Sequence, residues 1–293
     1  MKMAFSTEPA SFIFDQYPEL KEPILVAGFD GWGNALNVSE GTVNYVIGKL
    51  KAEQFARIDP DLFYRYDELR PVVSIENGDL KNFTPPGGSF HFVRFGSNAR
   101  DLVLLKADEP NLRWFQFTDD LFRLCERFGI DTIITLGSMY DNVLHTDRII
   151  SAVATSDNWL QKLREKKLSS VNYQGPSAIH SMINSEARKR SLNGISLWCH
   201  CPYYLQGTTH FGLLSELIHL LCVFGNFELS TLELEASWSQ LLENIQKLID
   251  GSPELQSAIL ELRKAKVQGS FAGMKGAAKS DKVINLQDFL NLR

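Results

Sequence analysis

The chain has 293 residues, of which 44% are hydrophobic and 22% charged, and its formal net charge is −5. This is the composition of a globular protein with a large core, and the length suits one α/β unit with an appendage. The acidic balance argues against nucleic acid as a partner, because binding phosphates requires clustered Lys and Arg. No apolar run approaches the roughly 20 residues that span a bilayer, and the four cysteines show no disulfide framework. We therefore expect a cytoplasmic protein with no membrane partner.

Short apolar runs predict buried strands. They cover Ile24–Gly28, Val72–Ile75, His91–Phe95, Leu102–Leu105, Thr132–Leu136, Ile149–Ala154 and Ile195–Cys199. Because most of these runs lack strict alternation, they suit strands that are covered on both faces. The dipeptide Asn77-Gly78 is a hairpin signal, so we expect part of the sheet to be antiparallel.

Apolar residues at helical spacing fill most of the intervals between these runs. Helices are predicted around 43–50, 114–128, 158–167, 178–191 and 213–224. Asn37 or Ser39 is a candidate cap for the first helix and Asn111 for the second, with Trp114 in the core. Strands that alternate with helices predict an α/β fold with a mixed, mostly parallel sheet.

The pattern changes after Gly225. Leu234, Trp238, Ile245 and Leu248 recur at helical spacing, and Pro253 can start a second helix. We therefore divide the chain into a core domain over 1–228, a C-terminal helical hairpin over 229–266 and a flexible tail over 267–293.

The first buried strand runs into the loop G-F-D-G-W-G-N-A, residues 28–35. Its glycines follow the spacing G-x-x-G-x-G, which is neither the dinucleotide fingerprint nor a phosphate loop. Asp30 would also repel a phosphate at the N-terminus of the next helix. A structural turn, a contact for a ligand or partner, and a catalytic loop stay open as interpretations. Trp32 either anchors this loop to the core or offers a contact surface.

Two further polar segments invite a chemical interpretation. His145, flanked by Asp141 and Asp147, follows a strand at the end where open α/β sheets bind ligands, and it could act as a general base. No nucleophile elbow accompanies it, and a polar loop with internal hydrogen bonds explains it equally well. The run W-C-H-C-P, residues 198–202, has Cys-x-Cys spacing and no second pair, which is not a zinc pattern. We expect no metal and no cofactor.

Six segments occur in an order that is more specific than any one motif. They are G-W-G-N-A (31–35), R-P-V-V (70–73), D-L-V-L-L-K-A-D-E-P-N-L-R-W (101–114), L-G-S-M-Y-D-N-V-L-H-T-D-R (136–148), Y-Q-G-P (173–176) and S-L-W-C-H-C-P-Y-Y (196–204). Together they resemble the bacterial and archaeal branch of the family of the second proteasome assembly chaperone, over about residues 20–265.

The resemblance implies a three-layer αβα sandwich similar to the nucleoside phosphorylases and a homo-oligomer, with a trimer favoured. Eukaryotic relatives help to assemble the proteasome α-ring, so the implied partners are other copies of the chain and proteasome-like or other protein subunits. The family supplies no established catalytic residue. The last residues, 290–293, lack the penultimate Tyr with which some relatives engage the proteasome, so docking by that route is not implied.

The first hypothesis is therefore a non-enzymatic, oligomeric assembly or scaffold protein. The alternative is a small-molecule-binding protein, or a hydrolase- or phosphorylase-like enzyme, with its site at the loop ends of the sheet. The candidate ligand- or partner-binding residues are Asp30, Trp32, Asn34, Glu109, Arg113, His145, Arg148 and Tyr173. Four of them, Asp30, Asn34, Glu109 and His145, are expected to converge at one edge of the sheet.

Overall fold

The computed structural model describes residues 11–96 and 98–267 of the chain. The strands are β1 (Phe12–Phe14), β2 (Ile24–Asp30), β3 (Glu53–Ile58), β4 (Val72–Glu76), β5 (Asp79–Thr84), β6 (Gly88–Val93), β7 (Leu102–Asp108), β8 (Thr132–Asp141), β9 (Ile150–Ala154), β10 (Ser169–Ser170) and β11 (Asn193–Pro202). The helices are α1 (Val38–Leu50), α2 (Pro60–Phe63), α3 (Trp114–Phe128), α4 (Asp157–Glu165), α5 (Ile179–Lys189), α6 (Phe211–Gly225), α7 (Leu232–Gly251) and α8 (Pro253–Val267). Apart from residue 267, the predicted tail lies outside the described residues.

Nine of these strands form one sheet in the order β1-β3-β6-β7-β2-β8-β11-β9-β10. The central strands β7, β2, β8 and β11 are parallel to one another. Antiparallel pairing extends the sheet through β6, β3 and β1 on one side and through β9 on the other. The prediction of a mixed sheet with parallel strands is confirmed. Within the part of the chain that the structure describes, β4 and β5 pair only with each other.

Helices cover both faces of the sheet. Side chains along a strand alternate between its two faces, and on β2 the buried side chains of both sets are apolar. On β2, Ile24 and Val26 pack in the cluster that holds α1, α4, α6 and α7. Leu25, Ala27 and Phe29 pack in the other cluster, with α3 and α5. The fold is therefore the expected αβα sandwich, with a core on each side of the sheet.

Gly28 lets α1 lie close to β2. A Cβ atom on this residue would lie 2.6 Å from the Ser39 carbonyl oxygen and 2.7 Å from Cγ2 of Val43. At this close approach the Ser39 hydroxyl joins α1 to two strands. It accepts a hydrogen bond from Phe29 N of β2 at 3.1 Å and donates one to the Leu136 carbonyl of β8. The strand-to-helix turn is thus fixed by a residue without a side chain and by one small hydroxyl.

The hairpin of β4 and β5 corrects one prediction. Val72–Ile75 was predicted as a buried strand, but every residue of both strands is exposed. The apolar content predicted the strand correctly and its environment wrongly, since composition does not say whether a neighbouring element covers a strand. The predicted turn at Asn77-Gly78 is confirmed, with φ of 52° and 81°, as a type I′ hairpin turn requires.

Helices α7 and α8 follow the core as predicted, and α7 packs against α6. Trp238 of α7 is 2% exposed and its ring stacks on His210 with 3.9 Å between centroids. The division at residue 229 stays a prediction. In the part of the chain that the structure describes, no helix has the length and apolarity to cross a membrane.

A candidate binding cleft at the ends of β2 and β7

The chain leaves the adjacent strands β2 and β7 toward opposite faces of the sheet. After β2 it enters α1, whose Val43 and Val46 pack on one face. After β7 it enters α3, whose Phe117 and Leu121 pack on the other. Where successive connections diverge in this way, a crevice opens at the carboxyl ends of the strands, and ligands of α/β proteins bind there. The loops that hold Trp32 and Glu109 border this crevice.

Side-chain hydrogen bonds fix the loop after β2. Asp30 Oδ1 accepts bonds from Gly31 N at 2.9 Å and from Asn34 Nδ2 at 2.8 Å. Asn34 Oδ1 in turn accepts from Ser39 N at 2.9 Å, in the first turn of α1. The predicted cap Asn37 occupies the N-cap position without making a side-chain cap. Asn34 supplies that cap, so its amide joins Asp30 to the helix.

Backbone bonds tie the same loop to its neighbours. Glu109 N donates to the Asp30 carbonyl at 2.7 Å, and Ser138 N donates to the Gly33 carbonyl at 2.8 Å. Gly31 has φ of 132°, a conformation that side chains rarely adopt. The loop is therefore attached on both sides, to β7 and to β8.

Trp32 turns outward from this fixed loop, with 64% of its surface exposed. The structure thus excludes the interpretation that Trp32 anchors the loop in the core. Solvent-exposed Trp is unusual because the indole is largely apolar. The side chain is available for contact with another molecule.

The cleft beside Trp32 has a volume of about 360 Å³. Two tryptophans and four carboxylates contribute to its walls: Trp32, Trp114, Asp30, Glu68, Asp108 and Glu109. Among the described residues that line it, none is Lys, Arg or His. The cleft therefore combines aromatic walls with negative charge.

Two of these carboxyls are partly removed from water. Burial raises the pKa of the Asp108 carboxyl, and the charge of Asp30 adds to this, although Gly87 N donates to Oδ2 at 2.8 Å. Burial likewise raises the pKa of Glu109, whose Oε1 accepts from Ile179 N at 2.8 Å. A cation in the cleft would offset the cost of burying these charges.

His180, at the start of α5, lies beneath the loop. Its Nε2 donates to the Leu136 carbonyl at 2.8 Å, and its ring packs 4.8 Å from Trp198 and 5.6 Å from Phe29. A Cβ atom on Gly33 would lie 3.1 Å from His180 Cε1. Burial lowers the pKa of His180 to about 4, so this histidine supports the loop as a neutral ring.

The structure brings together Asp30, Trp32, Asn34 and Glu109, but His145 does not join them. Leu144, just before it, packs on the α1 side of the sheet, whereas Ile179, which binds Glu109, packs on the other side. His145 Nδ1 shares a hydrogen bond of 2.8 Å with the Tyr204 hydroxyl. Burial lowers the pKa of His145.

The other three candidates have separate environments. Arg148 is paired with Glu235 of α7 through two bonds of 2.7 and 2.6 Å. Tyr173 donates its hydroxyl to the Pro176 carbonyl at 2.7 Å within its own turn. Arg113 is exposed at the N-terminus of α3 with φ of 55°, next to Trp114. Of these, only Arg113 lies beside the cleft.

A second polar array lies at the ends of β8 and β11. His200 Nδ1 is 2.7 Å from Asp141 Oδ2, and Nε2 is 2.9 Å from the Ser151 hydroxyl. This is the bonding order of an acyl-transfer triad. Ser151 is only 2% exposed, however, and a nucleophile must reach a substrate carbonyl. The array is therefore closed to substrate in this structure. Its hydrogen bonds to Asp141 and Ser151 give His200 of the W-C-H-C-P run a structural role.

Sequence reasoning missed part of the cleft. Asp108 ends a parallel strand, so the argument that selected Asp30 could also have selected it. Trp114, expected in the core, is half-buried and lines the cleft, and Asn111 accepts a bond from Arg65 N at 3.2 Å instead of capping α3. Glu68 carries no sequence signal, because it reaches the cleft from an irregular segment.

Comparison with known proteins bears on this architecture. The family model described as PAC2 family matches residues 25–249. A proteasome-assembly chaperone homologue of Mycobacterium tuberculosis is 25% identical, with a TM-score of 0.73 over 80% of this chain and 99% of that one. A PAC2 family protein from Streptomyces avermitilis is 26% identical, with a TM-score of 0.71 over 80% and 98% of the two chains.

An archaeal proteasome activator from Pyrococcus furiosus shares the fold at 16% identity, with a TM-score of 0.65 over 81% of this chain and 98% of that one. Comparison with curated protein sequences gave no match. The family model spans most of the chain and includes both loops of the cleft, so this protein belongs to the PAC2 family.

Proposed function

We propose that this protein is a non-enzymatic assembly or scaffold protein, like a proteasome assembly chaperone, that binds other proteins at the cleft beside Trp32. The observation that carries the proposal is the outward Trp32, 64% exposed on a loop held by Asp30, Asn34 and Glu109. The M. tuberculosis relative, described as a proteasome-assembly chaperone homologue, supports the same class of function.

The chemistry of the cleft suggests what the partner presents. Lys or Arg side chains complement the carboxylates of Asp30, Asp108 and Glu109, and a cation also binds the face of an indole. Tryptophan is among the residues that contribute most to protein interfaces. The proposed contact is a basic side chain of the partner, inserted between Trp32 and the carboxylates.

We also propose that the protein acts as a homo-oligomer, with a trimer favoured, in the cytoplasm. Its four cysteines are free thiols, and three of them are buried. Free thiols are typical of a reducing compartment.

Affinity purification with quantitative mass spectrometry tests the proposal. Wild type, Trp32→Ala and Leu232→Ala serve as baits in native lysate; Leu232, 79% exposed on α7, is the matched control. We expect partners such as proteasome-type subunits to fall at least tenfold with Trp32→Ala and to persist with Leu232→Ala. Recovery of no protein above a tag-only control, or equal recovery by all three baits, would contradict the proposal.

One observation favours the alternative of small-molecule binding: the cleft volume of about 360 Å³ lies within the range of ligand pockets. The acidic walls favour amines over phosphates. Thermal-shift measurements with aliphatic amines, nucleosides and phosphate test this alternative, with Glu109→Gln as the comparison. If no compound shifts the wild-type melting temperature, the alternative should be dropped.

A further inference from the structure

Among residues 11–96 and 98–267, no third strand joins the hairpin of β4 and β5, and all of its strand residues are exposed. A two-stranded hairpin is marginally stable in water unless another surface covers one of its faces. Its base lies beside the cleft, because Leu69 lines the cleft and Gly87 N binds Asp108. The question is which face is covered, and by what.

The register sorts the hairpin into two different faces. Val73 pairs with Phe83 and Ile75 pairs with Leu80. Residues directly opposite each other share a face, and so do residues two apart on one strand. All four side chains therefore lie on one face, where they are 50 to 62% exposed.

A bulge keeps this face continuous. Leu80 and Phe83 are three residues apart, which would place them on opposite faces of a regular strand. The register shift between Ser74 and Ile75 corrects this spacing. The pairs Val72–Thr84, Ser74–Asn82 and Glu76–Asp79 occupy the opposite face, so that face is polar except for Val72.

We infer that this apolar face is an interface between copies of this chain, in which hairpins of neighbouring subunits meet around a shared symmetry axis. The inference rests on the proposed homo-oligomer and names the element that forms it. The four side chains that define the face carry no charge, whereas the whole chain carries −5. Copies of an acidic protein repel one another least where an uncharged surface meets its equivalent.

The area supports a reversible assembly. Four half-exposed side chains of this size offer on the order of 400 Å² of apolar surface, and two such faces about twice that. A standard interface buries about 1,600 Å² in total, so hairpin contacts supply about half. Interfaces that bury less than about 1,200 Å² belong to weak, transient complexes, so we expect dissociation at micromolar concentrations.

Light scattering coupled to size exclusion, on the full chain between about 1 and 100 µM, tests the inference. Wild type should run as a multiple of 33.1 kDa. Leu80→Lys and Phe83→Lys should raise the dissociation constant at least tenfold and give the monomer mass. The matched controls Ser74→Lys and Asn82→Lys place the same charge on the opposite face and should keep the wild-type mass.

The outcomes separate this inference from the proposed function. A wild-type oligomer that persists in both apolar-face variants overturns the hairpin interface and leaves the proposed oligomer intact. A wild-type monomer at every concentration overturns the proposed oligomer together with this inference. If a Lys variant fails to fold, replacing residues 72–84 by a Gly-Ser linker tests the same interface, and an unchanged oligomer mass then overturns it.

Discussion

Asn34 holds Asp30 in place: its Nδ2 donates to Asp30 Oδ1 at 2.8 Å while its Oδ1 accepts from Ser39 N at 2.9 Å. One amide thus orients a cleft carboxylate and caps α1. Asn34→Ala should lower the free energy of unfolding by about 1–2 kcal/mol, the usual cost of a lost cap and hydrogen bond. Urea unfolding measures this, with the exposed Asn44→Ala on α1 as the control. Equal effects of the two substitutions would contradict the role of Asn34.

Gly28 and Gly48 provide a second matched pair: Gly28 lies on β2 against α1, and Gly48 lies within α1. A Cβ on Gly28 would meet the Ser39 backbone at 2.6 Å, whereas nothing lies within 4 Å of one on Gly48. Gly28→Ala should destabilise the protein by about 1–3 kcal/mol through overpacking. Gly48→Ala should stabilise it by up to about 1 kcal/mol, because alanine favours helix. Thermal unfolding compares the two, and a neutral Gly28→Ala would refute the close approach.

Trp32 and Trp238 should differ in what they contribute to folding. Trp32 is 64% exposed and Trp238 is 2% exposed. Trp32→Ala should change the free energy of unfolding by no more than about 0.5 kcal/mol, as for an exposed site. Trp238→Ala should cost about 3–5 kcal/mol through the cavity it leaves. Denaturant titration decides, and a large loss for Trp32→Ala would mean that its indole packs on its own subunit.

His180 predicts a pH dependence of stability. Burial lowers its pKa from 6.5 to about 4 in the folded state. As the pH falls below 6.5 the unfolded chain takes up a proton that the folded chain does not, so stability is lost over that interval. The loss approaches about 1.4 kcal/mol per pH unit.

The variant His180→Gln isolates this contribution. The glutamine side chain can still donate a hydrogen bond from its Nε2 to the Leu136 carbonyl, but a glutamine does not titrate. The difference in unfolding free energy between wild type and variant should shift by roughly 2 kcal/mol between pH 7 and pH 5. Guanidinium titrations at each pH measure it, and parallel curves would show that His180 takes up its proton as readily in the folded protein as in the unfolded chain.

The strands of the central sheet could be predicted because strands covered on both faces are continuously apolar, as Leu102–Leu105 illustrates. β3, E-Q-F-A-R-I, was missed because it is half polar and half exposed. The cleft was predictable through Asp30, which ends β2, and Glu109, which directly follows the neighbouring parallel strand β7. The separation of His145 from them was not, since spacing along the chain does not encode the face toward which a loop turns. The prediction that Val72–Ile75 is buried was wrong for a related reason. An apolar strand is expected to be covered, but its sequence does not say which element covers it.

The double attachment of the Gly28–Ala35 loop has a kinetic consequence. Because β7 and β8 already hold its backbone, a partner that contacts Trp32 has only the side-chain torsions left to immobilise, at about 0.5–1.5 kcal/mol. Encounter then needs no prior loop rearrangement, so variants of the cleft should alter how long a complex lasts far more than how fast it forms.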